Sequence, residues 1–201
     1  MKRWMDILLA GPALILLAGP MLLIAILIRR ESPGDSIFRQ RRAGWKGQPF
    51  VMLKFRTMRA DVDSYGVSPH SGADARLTAV GRFLRETSLD ELPQLINVLL
   101  GQMSLVGPRP LYERQAALWN NTQRRRLDVR PGLTGYAQVR GRGELTHEEK
   151  IEMDLYYVDR RCLALDARIL WWTAKACLGR SGEVYERQYS RERETEIASQ
   201  G

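Results

Sequence analysis

The stretch Ser88-Leu89-Asp90-Glu91-Leu92-Pro93-Gln94 places residues able to do chemistry side by side. Asp90 and Glu91 are adjacent carboxylates at the predicted start of a helix. The first N–H groups of a helix have no intrahelical partner and favour negative charge. Ser88 and Glu91 have the spacing of a capping box, and Pro93 suits an early helical turn. On that reading Glu91 only caps a helix, but Asp90 has no such role. Two carboxylates together can hold Mg²⁺ through oxygen and bridge it to substrate phosphates. One of them can instead attack phosphorus and form an acyl phosphate.

Three arginines lie downstream in stiff or tight turns. Arg109 sits between Pro108 and Pro110, Arg130 precedes Pro131-Gly132, and Arg142 lies between Gly141 and Gly143. A guanidinium grips phosphate oxygens in a fork. Any one of these turns reads as ordinary surface; three of them following a carboxylate pair predict a phosphate site. The chain has no Walker A sequence and no G-x-S-x-G elbow, which argues against an ordinary P-loop NTPase and an α/β-hydrolase nucleophile.

The blocks KFRTM (54–58), RETSLDELPQLINVLLGQMSLVGPRP (85–110), VRPGLTGYAQVRGR (129–142) and DLYYV (154–158) resemble the bacterial sugar transferase family. Its members of this size are monotopic phosphoglycosyl transferases, and the resemblance covers almost the whole chain. It implies transfer of a phosphosugar from a UDP-sugar to polyprenol (undecaprenyl) phosphate, with release of UMP. This would be the first membrane step of glycoconjugate assembly, feeding downstream glycosyltransferases. It also implies that Asp90 is the nucleophile, that a phosphosugar is held covalently on it, and that Mg²⁺ is bound at Asp90 with Glu91 assisting or binding. Lys54, Arg85, Arg109, Arg130 and Arg142 fall at the family's basic positions and are assigned to the phosphates. The implied location is the cytoplasmic face of the bacterial inner membrane. The segment Gly143–His147 lacks an aromatic that relatives carry, so the sugar is left open.

The elements that must position these groups begin with Ile7–Ile28, a run of 22 residues without a charge. As a straight helix it would measure about 33 Å, enough to cross a bilayer core. No small-x-small cleavage site ends it, which argues against a signal peptide. Lys2 and Arg3 precede the run and Arg29 and Arg30 follow it, although positive residues prefer one side of the membrane. Gly19-Pro20 near its middle, with Gly11-Pro12 before it, offers a break. A re-entrant membrane helix over residues 1–30 is therefore expected rather than a spanning one. Nine basic residues from Arg29 to Arg59 face only Glu31 and Asp35, an arrangement suited to anionic lipid as well as to substrate.

Residues 31–182 are expected to form the catalytic domain and 183–201 a polar tail. The overall expectation is an α+β fold, mostly helical, with amphipathic interfacial helices and a small β-hairpin. Ile37–Gln40 and Phe50–Phe55 predict that hairpin, and Asp61–Asp74 a mobile loop. Helices are predicted over Arg76–Glu86, from Ser88 to Gly101, and over Leu111–Arg126, Glu148–Arg160 and Ala164–Leu178. Trp171 and Trp172 suit either the core or a headgroup layer.

Composition narrows the alternatives. The net charge of +8 favours a phosphate-rich partner, but no nucleic-acid recognition motif is present and nucleic acid is not expected as a ligand. Cys162 and Cys177 cannot build a disulfide framework, and with only His70 and His147 beside them a zinc finger is excluded. A scaffold with a dead site remains a rival, opposed by the presence of Asp90, Glu91 and Arg109.

Overall fold

A computed structural model describes residues 1–62, 69, 71–141, 143 and 145–179. The architecture is mostly helical with a small amount of sheet. Helix α1 (Lys2–Glu31) is the long apolar element, and its helical backbone continues through Pro12 and Pro20. Two strands, β1 (Ile37–Ala43) and β2 (Pro49–Phe55), form the expected hairpin, longer on β1 than the sequence pattern suggests. Their antiparallel register sets Phe38 opposite Lys54 and Arg42 opposite Phe50.

Helix α1 is part of the core as well as its most apolar surface. Its first half packs Ala10, Ala13, Leu14 and Leu17 into a cluster with Leu95, Val98, Met103 and Tyr157. Its second half packs Met21, Ile24, Ala25 and Ile28 against Phe55 and Leu84. The change of partner falls between Leu17 and Met21, which brackets Gly19-Pro20. Both ends are tied to the rest of the fold by polar contacts. Lys2 Nζ donates to Asp166 Oδ2 at 2.5 Å and to Tyr157 Oη at 3.0 Å. Arg3 donates to the carbonyls of Val98 and Leu99 at a helix C-terminus, where a cation is favoured. Buried Asp6 accepts from Ser104 Oγ and the Leu105 amide, each at 2.9 Å. At the far end, Glu31 accepts from the Ala79 and Val80 amides at 2.6 and 3.0 Å. The opposite face is uncovered, with Ile15 and Leu16 81% and 80% exposed.

Those last two amides open α2 (Ala79–Glu86), three residues later than predicted, because Thr78 caps it by accepting from the Gly81 amide. The helix expected from Ser88 to Gly101 is divided. A 3-10 turn covers Leu89–Glu91, and α3 (Gln94–Leu99) follows Pro93. Gly101, at φ 77°, ends it as a glycine C-cap does. The predicted Leu111–Arg126 helix is also broken, into α4 (Glu113–Ala117), α5 (Asn121–Arg124) and a 3-10 turn over Arg125–Asp128. Asn120 starts α5 afresh by accepting from the Gln123 amide.

Two three-residue strands escape sequence reading. β3 (Ser104–Val106) and β4 (Gly132–Thr134) pair in parallel. Gly132 is required at their crossing, where a Cβ would lie 2.1 Å from the Gly107 amide nitrogen. After β4 come α6 (Tyr136–Arg140), α7 (His147–Arg160) and α8 (Leu163–Gly179). The paired tryptophans of α8 divide the two expected roles: Trp172 packs on the core beneath Arg140, and Trp171 is 70% exposed. The predicted polar tail lies outside the described residues, as does half of the predicted Asp61–Asp74 loop.

Candidate active site

Ser88 shapes the site through its backbone rather than by capping. Its φ of 58° is left-handed, and its side chain makes no cap hydrogen bond. The capping-box expectation for Ser88 and Glu91 is therefore corrected. The turn after Ser88 is too tight for the box, and the Glu91 carboxylate has stronger partners. Lys54 Nζ on β2 donates to Glu91 Oε1 at 3.1 Å. Arg109 donates to both Glu91 oxygens, at 2.6 and 3.3 Å, in the fork geometry that suits a carboxylate. Burial alone would raise the Glu91 carboxyl, but Arg109 and Lys54 outweigh it and hold the group well below the usual carboxylate range.

Asp90 is in the opposite situation. It is 8% exposed, and among the described residues no group hydrogen-bonds to its carboxylate. Burial pushes its carboxyl up to about 6, against the attraction of Lys54 and with the Glu91 charge adding to the rise. Lys54 is also shifted downward, first by burial and then by Arg109, while Glu91 opposes the change. The result is a desolvated carboxyl poised near neutrality beside a carboxylate locked by two cations.

The remaining assigned residues separate. Arg85 on α2 donates Nε to Thr57 Oγ1 at 2.9 Å, and its charge reaches Asp90. Arg130 has different partners: its Nε donates to the Gly101 carbonyl at 2.8 Å, and its guanidinium stacks 4.7 Å from the Trp45 ring centre. This divergence occurs although the two proline turns lie side by side, with the Gly132 amide donating to the Pro108 carbonyl and the Gly107 amide to the Thr134 carbonyl. Arg142 lies outside the described residues. Gly19 and Pro20 lie within α1, and Met21, which follows them, joins the cluster that holds Leu89 and Leu92.

Sequence reasoning missed the support beneath Arg109. Arg126 and Asp154 form a buried ion pair, Nη2 to Oδ2 at 2.5 Å, and the same Nη2 donates to the Arg109 carbonyl at 3.2 Å. Arg126 also lies 4.8 Å from the Trp119 ring centre. Asp154 opens the DLYYV block, but its arginine partner is 28 residues away and no local pattern links them.

A sequence model of the bacterial sugar transferases matches residues 1–180. The chain belongs to this family. A sugar transferase of Bacillus subtilis (strain 168), itself uncharacterised, is 42% identical over 90% of this chain and 89% of its own length. A UDP-glucose:undecaprenyl-phosphate glucose-1-phosphate transferase of Escherichia coli (strain K12) is 42% identical over 86% of this chain and 39% of its own. The Caulobacter vibrioides protein of the same name is 43% identical over 88% of this chain and 69% of its own. The chain therefore spans about two fifths of the Escherichia coli relative and most of the Bacillus one. As a bacterial sugar transferase, it carries Asp90, Glu91, Lys54 and Arg109 as a set of side chains drawn together from three separate segments.

Proposed function

We propose that this protein moves a phosphosugar from a UDP-sugar to polyprenol phosphate by way of a covalent intermediate on Asp90. The observation that carries the reading is the buried Asp90 carboxyl, which accepts no hydrogen bond from the described residues, next to a Glu91 already bound by Lys54 and Arg109. An Asp90 carboxylate oxygen attacks the β-phosphorus of the donor. The bond from that phosphorus to the bridging oxygen breaks, and UMP leaves with the electron pair. A phosphate oxygen of the lipid then attacks the same phosphorus and returns the carboxylate of Asp90. Arg85 and Arg109 bring positive charge to the diphosphate, which would otherwise repel both the carboxylates and the lipid phosphate.

The side chains fit Mg²⁺ in one particular way. Glu91 has both oxygens engaged, and among the described residues no three acidic, histidine or cysteine side chains are grouped for a metal. Asp90 would hold the ion together with donor phosphates, the usual division of ligands for Mg²⁺. When bound, it would neutralise and orient the diphosphate. The relatives named for UDP-glucose make that the first donor to test, and downstream glycosyltransferases would take up the lipid product.

Contacts at both ends of α1 support a re-entrant rather than a spanning helix. A helix across the bilayer would carry Lys2 or Glu31 away from the domain that each touches. Uncovered Ile15 and Leu16 each gain about 2 kcal/mol when removed from water. With exposed Phe83, Leu100 and Trp171, they suit a bilayer surface on which the domain rests from its cytoplasmic side. The decisive experiment is intact-protein mass spectrometry with Mg²⁺ and a panel of UDP-sugars, without acceptor, on wild type and Asp90→Asn. A phosphosugar mass gain with UMP release, absent in the variant, is expected. UMP formed only when polyprenol phosphate is added, with no adduct, would refute the covalent step.

A further inference from the structure

Arg42 belongs to the basic segment after α1, and nothing in its sequence context separates it from Arg39 or Arg41. The fold does separate it. Arg39 and Arg41 point to the other hairpin face, where they pair with Asp35 and Glu113. Arg42 shares a face with Gln40 and, across the register, with Lys54, since alternate residues of a strand line one face. Four residues along β1 from the partner of Lys54, it stands about 13 Å up the strand.

Its guanidinium is fixed on three sides. Nε donates to Gln40 Oε1 at 2.9 Å, and Nη2 bonds the same oxygen. Gln40 is itself oriented, because its Nε2 donates to Tyr112 Oη at 2.9 Å. The plane of Arg42 lies 3.7 Å from the centre of the Tyr112 ring, a close cation–π stack. Nη1 reaches the Pro110 carbonyl at 3.4 Å, so the arginine abuts the turn that presents Arg109. Lys54 senses the Arg42 charge. Packing thus holds Arg42 in place before any ligand arrives, which lowers the ordering cost of binding.

We propose that Arg42 is a further donor-binding residue. Its guanidinium, set by Tyr112, Gln40 and the Pro110 carbonyl, holds the nucleoside monophosphate half of the donor. Lys54 and Arg109 lie at the phosphorus under attack, and Arg42 lies one nucleotide's reach away along the same face. The inference rests on the transferase reading above, but its test needs no turnover.

The test is calorimetric titration of UMP into the full chain in nanodiscs, using Asp90→Asn as the parent so that no chemistry intervenes. Adding Arg42→Gln should weaken UMP binding about 10-fold, the scale of one charge-assisted hydrogen bond. Arg42→Lys should recover part of the loss, because it restores charge without the planar stack. In the active enzyme, Arg42→Gln should raise the donor KM far more than it lowers kcat. A structural role alone would lower the thermal midpoint and leave the UMP affinity of the folded protein unchanged. Unchanged affinity in Arg42→Gln, or no UMP binding by the parent, overturns the proposal. UMP binding that weakens in Arg42→Gln, in a protein that transfers no sugar phosphate, would support Arg42 and overturn only the transferase reading.

Discussion

Asp90 and Glu91 share a peptide bond and occupy opposite charge environments. Glu91 is clasped by Arg109 at 2.6 Å and Lys54 at 3.1 Å, while Asp90 is buried and, among the described residues, has no hydrogen-bonded cation. The pair therefore divides into a fixed anion that organises the cations and a reactive group whose ionisation depends on pH.

The first consequence concerns pH. Attack requires the ionised form of Asp90, and burial pushes its carboxyl up to about 6. The kcat/KM for the donor should rise with pH through about 6 and level off above it. Glu91 stays ionised across this range and adds no second step. A profile already flat from pH 5 upward would show that Asp90 does not titrate as the buried environment requires.

Asp90→Asn should abolish turnover, because a carboxamide is a poor nucleophile, and should also stabilise the fold at neutral pH. The folded pKa lies above the unfolded value of 3.8, so the stability this group contributes is present at low pH and lost as pH rises through about 6. A neutral amide escapes that loss. The thermal midpoint at pH 7.5 should rise by several degrees, since each kcal/mol is worth about 2–4 °C at this size. At pH 4 the two proteins should melt together.

Glu91→Gln should lower kcat by about 10²-fold, the order expected when charge stabilisation at a reacting phosphorus is disordered. The Mg²⁺ concentration giving half activity should change little, because both Glu91 oxygens serve Arg109 and Lys54. A large shift in that concentration would place the metal on Glu91.

Breaking the pair under Arg109 should separate stability from catalysis. Asp154→Asn leaves Arg126 charged and buried, which costs about 3–5 kcal/mol. Replacing both residues, as Arg126→Met with Asp154→Leu, should restore much of that stability. It should not restore kcat, since the Arg126 guanidinium then no longer donates to the Arg109 carbonyl. Chemical denaturation and steady-state kinetics on the same preparations read both effects.

A helix with both ends on one membrane face should label accordingly. With Cys162 and Cys177 replaced, single cysteines at Met1 and Asp35 should react with an impermeant maleimide only from the cytoplasmic side of sealed vesicles. Access to position 1 from the opposite side would refute the re-entrant arrangement.

Much of this arrangement can be read from the order of residues, and the exceptions share a cause. Long periodic elements such as α7 and the hairpin follow from local pattern. Asp90 stands out because a carboxylate pair at a turn has few ordinary uses. Ser88 misleads because the spacing of a capping box says nothing about a left-handed φ, which here turns the chain and removes the cap. Arg109 and Arg130 have similar flanking prolines, yet their partners, Glu91 and Trp45, are fixed by tertiary packing. Strands β3 and β4 are too short for alternation to register, and their pairing depends on the close approach of Gly107 and Gly132. Asp6 could have been suspected as the one acid at the mouth of an apolar run, but its partners at Ser104 and Leu105 lie 98 and 99 residues away.

Because Ala10, Leu14 and Leu17 fill the same cluster as Leu95 and Tyr157, α1 is not a detachable tether. Trimming it away to obtain a water-soluble enzyme would open a hole in the domain, take the Lys2 ion pair from Asp166 and leave the Ser104 hydroxyl without its Asp6 acceptor. For this chain, solubility has to be sought by repainting the outward side of α1, at positions such as Ile15 and Leu16, while its inward side stays as it is.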